Sequence, residues 1–282
     1  VRSIAERKRR SGRHLLADTD DAATTLIDYL RARHTGPTLT PVGSLRRGCE
    51  TCGDIDILAI GADTAIIDDF VSFEAVARVL GQGETKSSVL LRGGMQADLR
   101  VVPTNSGGTA LQYFTGSKSH NVALRDRALQ GGLTLNEYGL FEVEGGARVA
   151  GATEADVYDA LGLAFVPPEL RENRGEIAAA EAGMLPMLVD RAAIRGDVHC
   201  HTTATDGQAD IETMARAARD AGLQYLAITD HTQALAMANG LDERRALEHA
   251  RAIRTIDDRV DGIALLAGIE CDIRPNGQLD LA

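Results

Sequence analysis

The sequence predicts an α/β and α+β multidomain protein, and three observations carry that reading. Residues 55–60, 87–91 and 96–102 form short strand-like runs in which apolar and polar side chains alternate. From residue 193 onward the pattern changes to strand, helix, strand, helix, strand, which argues for parallel βα units and a second domain. With 282 residues and 44% hydrophobic content, the chain is long and apolar enough for one or two buried cores, and too apolar for a disordered chain.

In chain order, residues 1–34 read as helix, because Leu15, Leu16, Ala22, Leu26 and Leu30 recur at near-helical spacing. Thr35-Gly36-Pro37 stops it. A helix over about 66–80 separates the first two strands, and residues 117–130 are helical again. Residues 131–175 are short and turn-rich, with Pro167-Pro168 as a stop. The Ala/Glu-rich stretch 176–192 reads as a helical connector. In the second domain, strands are expected at 194–199, 225–230 and 263–270, with helices at 211–221 and 242–258.

The net charge of −11 argues naively against a nucleic-acid partner. It is uneven, however. Residues 1–50 carry ten basic and six acidic side chains, whereas the remainder carries 20 and 35. Arg outnumbers Lys 27 to 3, which reflects composition more than phosphate contacts. Four cysteines, no signal peptide and no apolar run near 18 residues fit a cytoplasmic protein without a membrane partner. Cys49-x-x-Cys52 has no second Cys pair and reads as two incidental thiols. The chain begins within a basic helical stretch and stops without a terminal cap, so it reads as a window from something longer.

The most informative stretch runs from Val42-Gly43-Ser44-Leu45-Arg46-Arg47-Gly48 to Gly53-Asp54-Ile55-Asp56-Ile57-Leu58. On a strand, residues i and i+2 share a face, so Asp54 and Asp56 project together while Ile55 and Ile57 point into the core. Adjacent carboxylates repel unless a cation lies between them. Asp98 alternates likewise on a later strand and can join the pair. Three carboxylates fit a two-metal site that activates an oxygen nucleophile and neutralises a transferring phosphoryl group. Gly43-Ser44 lets backbone N–H groups approach a phosphate, and Arg47 adds a bidentate donor. Asn121 and Arg125 lie four apart on one helix face, after a turn signal at Thr115-Gly116-Ser117.

These motifs, together with Tyr113-Phe114-Thr115-Gly116-Ser117, occur in the order seen in the palm and thumb of bacterial family X DNA polymerases, which the chain resembles over residues 5–175. The resemblance implies a nucleotidyltransferase-type palm with a mixed sheet and helices, and a small α/β thumb. It also implies that Asp54, Asp56 and Asp98 are catalytic and hold Mg²⁺ or Mn²⁺. Gly43, Ser44, Arg47, Gly53 and Gly116 would face the incoming dNTP, with Tyr113 and Phe114 by its sugar. Asn121 would touch the base and Arg125 the template strand. Cys52 stands where a small hydroxyl residue is often seen near the phosphates, and a thiol donates only weakly.

The second cluster is Asp197-Val198-His199-Cys200-His201, then Asp206-Gly207, Thr229-Asp230-His231 and Gly268-Ile269-Glu270. Three His and two carboxylates arriving from successive strand ends suit Zn²⁺ or Mn²⁺. His14, His34 and His249 have no such neighbours and read as surface residues. This cluster resembles the polymerase and histidinol phosphatase (PHP) domain, a distorted β/α barrel that follows the thumb in bacterial family X polymerases. The resemblance implies that His199, His201, Asp206, His231 and Glu270 are metal ligands of a 3′–5′ exonuclease or phosphoesterase. The expected division is an end of the fingers segment at 1–35, palm at 36–105, thumb at 106–175, linker at 176–192 and the first part of the barrel at 193–282.

The leading expectation is therefore a DNA-directed DNA polymerase that fills short gaps in repair, monomeric, acting on gapped or primer–template DNA with dNTP. Two alternatives stay open: a metal-dependent phosphoesterase whose palm only holds DNA, and an inactive DNA-binding fragment.

Overall fold

The computed structural model describes residues 12–281 and divides into two compact units, one ending at Pro186 and one beginning at Met187. The basic stretch of residues 1–10 lies outside the described residues. The helix expected over 1–34 is α1, Leu16–Arg31, after a short strand β1, His14–Leu15. Thr19, Ala23, Leu26, Ile27 and Leu30 are its buried stripe, spaced by three and four as a helix requires.

The first sheet combines β2 (Thr38–Pro41), β4 (Ile55–Ile60), β5 (Val76–Gln82), β6 (Lys86–Leu91) and β7 (Gln96–Val102) in the order β2-β4-β7-β6-β5, while the short β3 (Thr51–Cys52) pairs with β1. Only β4 and β7 run parallel, so the sheet is mixed. One face buries Ile55, Ile57, Ala59, Ala97 and Leu99 against α1 and α3 (Ile66–Val71). The other buries Leu58 and Val102 against α4 (Gly107–Thr115), and toward the start of both strands it changes from apolar to acidic.

The helix expected over 66–80 is overturned in its second half. It ends at Val71, and Val76–Gln82 is the edge strand β5. Register breaks between Val76 and Arg78 and between Val79 and Gly81 blur the two-residue alternation, so Val79 and Leu80 are both exposed. A strand with two irregularities loses the periodic signal that would reveal it in sequence.

Beyond α4 come α5 (Lys118–Gln130), a three-stranded antiparallel sheet of β8 (Leu133–Asn136), β9 (Gly139–Glu142) and β10 (Arg148–Ala150), and α6 (Glu154–Ala160). Thr153 and Asp156 close a reciprocal capping box on α6. The expected connector helix is also corrected: α7 spans only Glu176–Glu181 and packs into the same core as Leu124, Leu140 and Val157, through Ala180. Glu176 is buried and meets Nδ1 of the buried His120 at 2.6 Å, while Tyr158 lies at its Nε2. A histidine 56 positions upstream thus claims Glu176, a partner that local composition does not reveal.

In the second unit, β11 (Gly196–Cys200), β12 (Tyr225–Ile228) and β13 (Ala264–Ala267) form a parallel sheet in sequence order. Helices α8 (Ile211–Asp220) and α9 (Glu243–Asp257) join them. Both start on an aspartate cap, Asp210 accepting from Thr213 N–H and Asp242 from Arg245 N–H. Leu226, Ile228, Ile253 and Leu265 form this core.

Candidate active sites in the two units

Asp56 and Asp98 are direct partners across the parallel β4–β7 pair. Ile55 and Ile57 are buried, so Asp54 and Asp56 lie on the opposite, open side of the strand. Burial first, then the charges of Asp54 and Asp98, push the Asp56 carboxyl up to about 6. Burial, then Asp98, also raises Asp54. Asp98 faces Asp56 across the strand pair, so three adjacent carboxylates form a site that gains from a cation. A cavity of about 100 Å³ is lined by Asp56, Lys86, Asp98, Arg100 and Phe114.

Val42 N–H donates to the Asp56 carbonyl at 2.8 Å and ties the glycine-serine turn to β4. Gly43 follows with φ +64° at the start of the one-turn helix α2 (Gly43–Arg46). Ser44 is half-buried on that turn, and Gly53 precedes the carboxylates. Cys52 is fully buried in the core, so its thiol is a packing group.

The two arginines of this turn are held by side chains far along the chain. Arg46 forms a bidentate pair with Glu154, and Glu154 also accepts from the fully buried Arg171. Arg47 donates to Glu172 and to the Thr115 carbonyl, both at 2.6 Å. The expected free phosphate donor is thus engaged by Glu172 here. Glu154, Arg171 and Glu172 carried no readable signal, because isolated charges in a turn-rich stretch look solvated.

Phe114 lines the cavity and Arg100 lies 4.6 Å above its ring. Tyr113 meets Phe114 edge-on at 5.1 Å. Gly116 has φ +69°, and Ser117 then caps α5 through His120 N–H. The Asn121 amide is occupied, accepting from Gln112 and donating to the Tyr113 carbonyl, whereas Arg125 is exposed.

In the second unit all five expected ligands converge. Nε2 of His199 and of His201 meet one Glu270 oxygen at 2.7 and 2.9 Å. The other His201 nitrogen meets Asp206 at 3.0 Å. His231 lies 3.4 Å from Asp206 and 3.6 Å from Glu270. His199, His201 and Glu270 form one candidate ligand group, and His201, Asp206 and His231 another, each with donor atoms within 4.8 Å of one another. An imidazole and carboxylate donor set with a shared histidine fits a divalent metal ion. Hydrogen bonds from His199, then His201, hold the Glu270 carboxyl below the usual range despite some desolvation.

Beneath these ligands lies a residue whose role the sequence did not reveal. Asp230 is fully buried and accepts from Thr202 N–H, Thr202 Oγ1, Thr205 Oγ1 and His249 Nε2. Although burial opposes its charge, these bonds, His249 first, hold the Asp230 carboxyl well below the ordinary range. His249 is therefore not a free surface residue. His34 is likewise tied, to Asp69 at 2.7 Å, with its side chain only 16% exposed.

Residues 110–172 match the DNA polymerase beta thumb family, and residues 197–280 match the PHP domain. The DNA polymerase/3′-5′ exonuclease PolX of Bacillus subtilis (strain 168) is 36% identical over 241 residues, 84% of this chain. The chain belongs to the family X polymerases that carry a PHP domain. This family X chain spans 42% of the length of that Bacillus relative. It is also similar to DNA polymerase lambda of Rattus norvegicus, 30% identical over 167 residues (46% of this chain, 28% of that one). DNA-directed DNA/RNA polymerase mu of Homo sapiens is 38% identical over 78 residues, 27% of this chain and 16% of that one. No helix among the described residues of the family X chain is long and apolar enough to cross a membrane.

Proposed function

We propose that the first unit carries the nucleotidyl-transfer centre of a DNA-directed DNA polymerase that fills short gaps, and the second a metal-dependent 3′–5′ exonuclease. The pairing of Asp56 with Asp98 beside Asp54 carries the first reading. On this reading residues 36–105 are the palm and 106–175 the thumb. Asp54, Asp56 and Asp98 would hold Mg²⁺ or Mn²⁺, which supplies charge neutralisation to the transferring phosphoryl group. Asp98 receives the proton-donating primer hydroxyl in its vicinity, and Gln96 Nε2, 2.9 Å from its Oδ1, fixes the carboxylate plane. Gly43 leaves room for the triphosphate beside Asp56, and Ser44 and Gly53 border it. Arg47 exchanges Glu172 for a phosphate oxygen when dNTP arrives. Tyr113, Phe114 and Gly116 shape the sugar side, Asn121 the base side, and Arg125 the template side.

In the second unit His199, His201, Asp206, His231 and Glu270 would hold Mn²⁺ or Zn²⁺, which supplies Lewis acidity toward a phosphodiester at a DNA 3′ end. The Bacillus relative carries both activities in its name, which supports pairing them.

The test is primer extension and 3′-end hydrolysis on gapped DNA with Mg²⁺ or Mn²⁺. Asp56→Ala should remove extension, by about 10²-fold or more, and leave hydrolysis. His231→Ala should do the reverse. Hydrolysis without any extension by the unmodified protein would favour a phosphoesterase with a DNA-holding palm.

A further inference from the structure

The carboxylate cluster of the first unit contains a basic side chain that no part of the proposed mechanism uses. Lys86 opens β6, opposite Arg100 of β7, and Asp98 is the diagonal neighbour two residues away on the same face. Its Nζ lies 3.3 Å from Asp98 Oδ2, with the side chain half exposed. Gln96 occupies the other Asp98 oxygen. Both oxygens of Asp98 are therefore taken by the protein itself. Lys86 also lines the cavity that contains Asp56.

The reach of this charge extends beyond Asp98. Arg13 acts favourably on Asp54 and Arg100 on Asp56, while Lys86 acts on both. The two arginines have other engagements. Arg13 bonds to Thr51, and Arg100 lies over the Phe114 ring. Lys86 has a flexible, solvated stem and a single strong partner, so it is the group that can leave.

We infer that Lys86 is the built-in counterion of the aspartate cluster, seated on Asp98 until a divalent cation displaces its ammonium toward solvent. The inference rests on the palm reading above. An ammonium and a divalent cation compete for one carboxylate oxygen, so each weakens the other's hold. Lys86 would thereby keep three adjacent carboxylates compatible with a folded sheet while the site waits for metal, and would set the metal concentration at which the site fills.

The experiment uses the whole chain and Mn²⁺ alone, with two readouts. Mn²⁺ affinity is measured by titration calorimetry, taking Asp56→Asn as the reference that subtracts binding by the second unit. Lys86→Met, which keeps the stem and removes the charge, should bind Mn²⁺ at the palm about three- to tenfold tighter, and Lys86→Arg should restore the weaker binding. The second readout is acylation of lysine amines followed by mass spectrometry. The chain has only Lys8, Lys86 and Lys118, so each is resolved. Saturating Mn²⁺ should raise the labelling of Lys86 relative to Lys118, and should fail to do so in Asp56→Asn. Palm binding that is lost in Asp56→Asn, with Lys86 labelling unchanged by Mn²⁺, would overturn the counterion role and leave the palm reading standing. Equal Mn²⁺ stoichiometry in the unmodified protein and Asp56→Asn would overturn both.

Discussion

Gly43 stands so close to Asp56 that a β-carbon on it would lie 2.6 Å from the carboxylate Oδ2. Its φ of +64° is equally unsuited to a side chain. On the proposed reading, the turn that would face the triphosphate and the carboxylate that would hold metal are therefore built as one object. Gly43→Ala should displace Asp56 and lower kcat for primer extension by about 10²-fold, with 3′-end hydrolysis unchanged. Near-normal extension by this variant would mean that the turn has slack the geometry does not show.

The raised Asp56 carboxyl makes a pH prediction. Its folded value, about 6, lies above the ordinary carboxylate value of 3.8. The folded state thus binds this proton more tightly than the unfolded chain does. That contribution to stability is complete below the ordinary carboxylate range and is lost as pH rises through 6. Asp56→Asn should therefore stabilise the metal-free protein by about 1–2 kcal/mol at pH 7.5, with the gain vanishing near pH 4. Denaturant melts in the presence of a chelator, at a series of pH values, would measure it.

Glu154 is the acceptor shared by Arg46 and Arg171. Removing it leaves a fully buried guanidinium uncompensated, and one Arg171 nitrogen already lacks a partner. Glu154→Ala should cost about 3–5 kcal/mol, seen as an earlier unfolding transition of the first unit. Replacing all three residues by apolar ones of similar size should cost far less. If the single and triple variants melt alike, the network is not the source of the loss.

Asp230 ties the backbone and hydroxyl of Thr202, beside His201, to the segment that ends in His231. Asp230→Ala should leave those donors buried without an acceptor and weaken Mn²⁺ binding by the second unit about 10- to 100-fold. His249→Ala, which removes one donor and keeps the charge, should weaken it less. Calorimetric titration in an Asp56→Asn background would isolate the second site.

Much of both candidate sites was legible in the sequence for a simple reason. Side-chain direction along a strand repeats every two residues, so Asp54-x-Asp56 and His199-x-His201 announce a shared face without any fold. Capping and turn chemistry is similarly local, and Ser117 and Asp242 stand where it requires. The helix expected over 66–80 stops at Val71, and the strand that follows escaped notice because two register breaks erase its alternation. His249, expected at the surface, is instead tied inward because its partner, Asp230, lies 19 positions away in sequence.

The sequence by itself determined that Asp54 and Asp56 share a strand face, as do His199 and His201, since side-chain direction along a strand depends on a backbone period of two residues. Only the tertiary structure decided that Asp98 pairs with Asp56, that Arg46 and Arg47 are held by Glu154 and Glu172, and that Lys86 reaches the carboxylates. Those contacts join residues 12 to 125 positions apart, and only the packed sheet and helices bring them within hydrogen-bond or ion-pair reach.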